Sequence, residues 1–162
     1  MIHFVGAGSG APDLITVRGQ KFLREADVVI YAGSLVNPEL LKETKPGCEI
    51  LNSAYMTLDE VIRAMEKAER EGKMTVRLHT GDPAIYGAIR EQMDRLGEKK
   101  IAYDVCPGVS SFCGAASSLH AELTLPGVSQ SVIITRMAGR TGVPERESFR
   151  SLAAHHATMA VF

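Results

Sequence analysis

Residues 1–19 read MIHFVGAGSGAPDLITVRG, and this stretch sets the fold. Its first five residues are a short apolar run that ends in glycines, the pattern of a buried strand entering a tight turn. A helix is expected over residues 16–26, and a second apolar strand, VVIY, over residues 28–31. An unbroken apolar strand fits a sheet covered on both faces better than one with a wet face.

Working outward, the alternation continues. A third strand is expected at 49–51. Thr57-Leu58-Asp59-Glu60 has the form of a capping box, with a hydroxyl at the N-cap and a glutamate three residues later. Behind it Leu58, Val61, Ile62, Met65 and Ala68 recur at helical spacing, and Gly72 follows as a stop. Strands are expected at 75–79 and 101–105, a helix at 85–96 before Gly97, and a small-residue helix at 110–119. Strands alternating with helices imply a parallel sheet with helices on its faces. The segment LTLPGVSQ, 123–130, breaks the pattern. After it come a strand at 131–135, a helix near 145–155 and a strand at 158–162. The expected architecture is therefore α/β: an N-terminal parallel-sheet domain over 1–120, a linker over 121–130, and the beginning of an incomplete second α/β domain over 131–162.

Composition narrows the function. Lys and Arg number 18 against 19 Asp and Glu, a net charge of −1. No basic stripe is present to hold nucleic acid, so none is expected as a partner. The dense charges from Glu66 to Lys73 alternate in sign and read as a solvated helix face. Cys48, Cys106 and Cys113 fit neither a zinc ribbon nor a redox pair, which suggests reduced thiols. Apolar runs fall short of the roughly 20 residues that cross a bilayer. The chain enters a strand pattern at once, without a signal peptide. A cytoplasmic protein without a membrane partner is expected.

Gly6-Ala7-Gly8-Ser9-Gly10-Ala11 satisfies the loose pattern G-x-G-x-x-[G/A] after a strand, a dinucleotide fingerprint. Two features oppose that reading. Pro12 removes a backbone N–H of the kind a phosphate cradle uses. The second strand ends in Tyr31-Ala32-Gly33-Ser34, without the acid that holds a ribose. A plain tight turn, or a loop for a ligand other than phosphate, are the alternatives.

Five ordered segments carry a resemblance: VGAGSGAPDLITVRG at 5–19, ADVVIYAGSLV at 26–36, HTGDPAIYGAI at 79–89, YDVCPGVSSF at 103–112 and LTLPGVSQSVIITR at 123–136. Together they resemble the tetrapyrrole methyltransferase family. Within it, AGSLV, SSF and LTLPGVSQ look most like the enzymes that methylate carbon 11 of precorrin-4 or its cobalt form. The resemblance implies two α/β domains, S-adenosylmethionine as cofactor in the cleft between them, no metal, and a homodimer acting on a carboxylate-rich tetrapyrrole. It also implies a longer chain, so activity of this fragment alone is in question. The alternatives are a sister enzyme acting at another ring carbon, a dinucleotide-binding domain, and a non-catalytic sensor of an adenosine ligand.

Site residues follow from the same match. Gly81-Asp82-Pro83 ends a strand, where open α/β sheets bind ligands. Asp82 also suits a plain N-cap with Pro83 at the first helical position. The resemblance assigns Thr80, Gly81, Asp82 and Ile85 to the cofactor. It places Ser110 and Ser111 at the cofactor carboxylate or ribose, and Pro12 near the adenosine. Ser110 equally suits an N-cap. For the substrate carboxylates, arginine offers a bidentate fork, and Arg18, Arg136 and Arg140 lie in loops or near strand ends. Tyr86 is placed to stack on the macrocycle or pack under its loop. Arg90 and Arg95 read as exposed helix residues. The catalytic base is unknown, with Asp82 and Asp13 the nearest carboxylates. His155 and His156 point about 100° apart on a helix and so are not a metal pair.

Overall fold

Five strands form one sheet, all parallel, in the computed structural model, which describes residues 1–139 and 141–162. They are β1 (Ile2–Gly6), β2 (Val28–Tyr31), β3 (Glu49–Asn52), β4 (Thr75–His79) and β5 (Tyr103–Cys106), in the order β3-β2-β4-β1-β5. In β1 and β4 every residue is buried, as expected of parallel strands covered on both faces. The register pairs Ile2 with Thr75, Phe4 with Arg77 and Gly6 with His79. The strands of the sheet therefore end level, and their outgoing loops share one edge.

Helices cover both faces. α1 (Val17–Glu25) puts Leu23 against Val5, Val29, Val76 and Leu78 on one face. On the other, α2 (Leu58–Arg70) and α3 (Arg90–Glu98) bring Val61, Ile62, Met65 and Leu96 onto Ile2, Phe4, Val28 and Ile30. The capping box forms as the sequence predicts, with Thr57 and Glu60 satisfying each other's backbone N–H groups. Gly72, at φ +69°, closes α2. Lys73 donates to Ala68 O and Gly72 to Glu69 O, the paired bonds of a Schellman motif.

Neighbouring strands β1 and β4 lead to helices on opposite faces, α1 and α3. In open α/β sheets ligands bind outside the carboxyl ends of the strands at such a divergence.

Two expectations need correction. The helix expected at 85–96 starts at Arg90, because Tyr86 and Ala88 take φ of 54° and 50° and break the helical path. The helix expected at 145–155 reduces to a 3₁₀ turn, Glu145–Glu147, and the short helix Phe149–Ala153. The small-residue helix α4 (Ser111–Ser118) lies where expected.

The chain divides into two compact units, Met1–Gly114 and Ala115–Phe162. The first holds the five-stranded sheet. The second contains β6 (Val132–Thr135) paired in parallel with β7 (Thr158–Val161), and α5 (Phe149–Ala153) in the connection. Among the described residues no helix is long and apolar enough to cross a membrane.

Candidate functional site

Three loops meet at the carboxyl edge of β1, β4 and β5. Glycine makes the meeting possible. A Cβ on Gly6 would lie 2.6 Å from both Gly108 Cα and Gly81 O. A Cβ on Gly108 would lie 2.8 Å from Gly6 Cα and strike Gly81 O. These neighbours are backbone, so no side chain can swing aside.

The glycine loop after β1 turns towards β4. Ala7 N donates to His79 O (2.7 Å), and Gly8 exchanges backbone bonds with Gly81, 3.3 Å and 2.9 Å. Gly8 sits at φ +81° with Leu14 O where its Cβ would be. Two N–H groups of the loop are thus spent on β4 and the turn after it. A 3₁₀ turn, Pro12–Leu14, then precedes α1, whose N-cap is Thr16. The loop does not run directly into a helix N-terminus, so the phosphate-cradle reading loses both its donors and its helix dipole. Asn37 Nδ2 holds the loop from the far side by donating to Gly10 O (2.8 Å).

Asp82 joins the other two loops. Its Oδ1 accepts from Ala84 N (2.7 Å) and its Oδ2 accepts from Gly108 N (3.0 Å). It therefore caps the turn over residues 83–86, not α3, which begins eight residues later. With one backbone N–H on each oxygen, its geometry is that of a clamp. Ser110 is buried, and its carbonyl accepts from Cys113 N and Gly114 N at the start of α4. Asp82, Ile85, Val109, Ser110, Phe112 and Cys113 are among the residues lining an open recess of about 520 Å³. Sequence reasoning thus places Gly81, Asp82, Ile85, Ser110 and Ser111 on elements the fold brings together. Thr80 immediately precedes Gly81. Pro12 and Asp13 lie exposed on the 3₁₀ turn after β1, and Arg18 is exposed on the first turn of α1.

The substrate arginines fare differently. The Arg136 guanidinium donates to Thr141 Oγ1 (2.9 Å) and to the carbonyls of Met137, Thr141 and Gly142. Those bonds pin its own loop, so the fork expected to be open for carboxylate is occupied. Arg140 lies outside the described residues. Tyr86 is half exposed on the turn after β4.

Sequence reasoning missed a buried polar cluster below this turn. Arg77, in β4, is 6% exposed, Gln92 of α3 is 5% exposed and His79 is 3% exposed. Burial brings the Arg77 guanidinium down to about 10. Burial first, and the Arg77 charge second, hold the His79 imidazole down to about 3, so it is neutral at pH 7. His79 Nε2 has no hydrogen-bond partner. Polar residues inside an otherwise apolar strand were the available signal. Among the described residues no group of three or more His, Cys, Asp or Glu is arranged to hold a metal ion.

Comparison with known proteins shows the family and the fold. The family model of the tetrapyrrole (corrin/porphyrin) methylases matches residues 1–162. A cobalt-precorrin-4 C(11)-methyltransferase of Methanocaldococcus jannaschii is 59% identical over 161 residues, covering 99% of this chain and 62% of that protein. A precorrin-4 C(11)-methyltransferase of Pseudomonas aeruginosa is 46% identical, with 99% and 64% covered. The chain thus spans less than two thirds of the length of these relatives. The crystal structure of a cobalt-precorrin-4 methyltransferase, a cobalamin biosynthetic enzyme, superimposes with a TM-score of 0.96 at 52% identity, over 99% of this chain and 67% of that one. A uroporphyrin-III C-methyltransferase of Thermus thermophilus, crystallised with S-adenosylhomocysteine, gives 0.73 at 30% identity, over 90% and 59%.

Proposed function

The chain belongs to the tetrapyrrole methylase family, and on that premise we propose that it acts in methyl transfer from S-adenosylmethionine to carbon 11 of precorrin-4 or cobalt-precorrin-4. The observation that carries the proposal is the 59% identity, over 99% of this chain, to a cobalt-precorrin-4 C(11)-methyltransferase.

The residues at the carboxyl edge fit a nucleoside–amino acid ligand. The recess is apolar at Ala84, Ile85, Val109 and Phe112, and polar at Asp82 and Ser110, the mix typical of small-molecule sites. Gly81, at φ +60°, leaves room. An added Cβ would meet nothing closer than Ser110 Cα at 3.5 Å. Ser110 and Ser111, at the N-terminus of α4, suit the ligand's carboxylate, since unpaired N–H groups and the helix dipole favour an anion there. Thr80 to Asp82 and Ile85 would flank the methionine moiety, and Pro12 the adenosine. Asp82 acts by clamping the turns.

When bound, S-adenosylmethionine supplies a methyl group already activated by its sulfonium. The new carbon–carbon bond forms as the carbon–sulfur bond breaks, the sulfur keeps the electron pair, and the substrate releases one proton. The protein's work is to orient the two partners and exclude water. Arg18 and Tyr86 would meet the carboxylates and ring of the tetrapyrrole. We further place the protein in the cytoplasm as a homodimer, with an N-terminal domain over 1–120 and a second α/β domain starting near 131.

The test is incubation of the full chain with methyl-labelled S-adenosylmethionine and each tetrapyrrole precursor. Label at carbon 11 of precorrin-4 or its cobalt form is expected. Label at another carbon would transfer the assignment to a sister activity, and absence of label from every tetrapyrrole would refute methyl transfer.

A further inference from the structure

The turn that carries Ile85 and Tyr86 is held in an unfavourable backbone conformation. Tyr86 and Ala88 both occupy the left-handed region, φ 54° and 50°, where a Cβ is disfavoured. Between them Gly87 is pressed so tightly that an added Cβ would lie 2.9 Å from Pro83 Cα. A segment of this kind persists only where its surroundings over-determine it.

At its first end the clamp is Asp82. At its far end it is a side chain outside the recess. Gln92 Nε2 donates to Ala88 O (3.0 Å), and Gln92 Oε1 accepts from Arg77 Nε (3.0 Å). Arg77 Nη1 in turn donates to Ile30 O in the neighbouring strand (3.0 Å). The relay runs from the sheet, through a buried guanidinium and a buried amide, to one of the two strained residues. Its chemistry dictates its composition. A guanidinium only donates, so it fixes which end of the amide is oxygen and leaves the NH₂ for Ala88. A carboxylate would satisfy Arg77 better but has no proton to give to Ala88 O.

We propose that Gln92 is a positioning residue that, oriented by Arg77, holds the 83–89 strap with Tyr86 and Ala88 left-handed and so sets where Ile85 stands in the ligand recess and how the neighbouring Tyr86 is presented. The binding part of this inference rests on the proposed function; the strap itself does not.

Gln92→Glu in the full chain tests it, with hydrogen exchange and S-adenosylhomocysteine titration as the readouts. The variant keeps the size of the side chain and strengthens the pairing to Arg77. The melting temperature should hold or rise, while amides 84–89 exchange about tenfold faster, as loss of the part-buried bond to Ala88 O implies. S-adenosylhomocysteine should bind about tenfold more weakly. Adding Ala88→Gly, which relieves the left-handed strain, should recover most of that affinity. Unchanged exchange at 84–89 would overturn the proposal, as would faster exchange spread evenly over the sheet. Should the glutamate variant fail to fold, Gln92→Met removes both bonds without a charge, and the same exchange readout decides. A parent protein that does not bind S-adenosylhomocysteine refutes the proposed function, and exchange at the strap then decides the role of Gln92.

Discussion

Gly108→Ala adds one methyl group at the point where the three loops meet. The added carbon would lie 2.8 Å from Gly6 Cα and collide with Gly81 O. Ordinary carbon–carbon contact is about 3.5–4.0 Å, so roughly 1 Å of movement is needed. β1 and β5 are hydrogen-bonded neighbours and cannot separate by that much without losing their ladder. The loop must move instead, which breaks the Gly108 N–H bond to Asp82 Oδ2. Overpacking costs about 1–3 kcal/mol, here at the upper end because the obstacles are backbone, and the broken bond adds about 1 kcal/mol. A total of about 3–4 kcal/mol lowers the melting temperature of a chain this size by about 6–16 °C. Circular dichroism melts of parent and variant measure this. Gly97→Ala is the control. It sits in α3 with nothing within 4 Å of its added Cβ, and should stabilise by about 0.5–1 kcal/mol through helix propensity. A Gly108→Ala melt within 1–2 °C of the parent, equivalent to only about 0.5 kcal/mol, would refute the three-loop packing.

Thr57→Ala removes the hydroxyl half of the capping box on α2, and a loss of about 1 kcal/mol in urea unfolding is expected. His79 gives a pH signature. Its folded value, about 3, lies below the usual 6.5, so the unfolded chain binds the extra proton between these limits. Stability should rise with pH across that window, by up to about 1.4 kcal/mol per unit. His79→Leu should flatten the urea midpoints over pH 4–7. Thiol titration should find Cys113 first, since it is exposed, and Cys106 only on unfolding. Burial raises the Cys48 thiol, which slows its reaction relative to Cys113.

The parts of the fold set by local chemistry were legible. The apolar runs VVIY and VIIT, the Thr57–Glu60 box and the Gly72 stop appear in the structure where their residues place them. The strap after Asp82 was not legible. Its helical period continues through Ile85 and Ile89, and nothing local announces that Tyr86 and Ala88 turn left-handed. The strap is tied to side chains outside it, Gln92 four residues beyond Ala88 and Arg77 in the preceding strand, 15 residues from Gln92. The Asp82–Gly108 bond was hidden for a similar reason: it spans 26 residues and depends on β1 lying between β4 and β5. The sequence motifs named the cofactor loops as separate elements. Their meeting point required the strand order.

We propose that the loops after β4 and β5 form the site of an S-adenosylmethionine-type ligand. Hydrogen exchange of the full chain, with and without saturating S-adenosylhomocysteine, tests it most directly. Protection is expected at residues 80–86 and 108–113, with the far end of the sheet unchanged. Saturation without protection at those loops, or no binding at all, would contradict it.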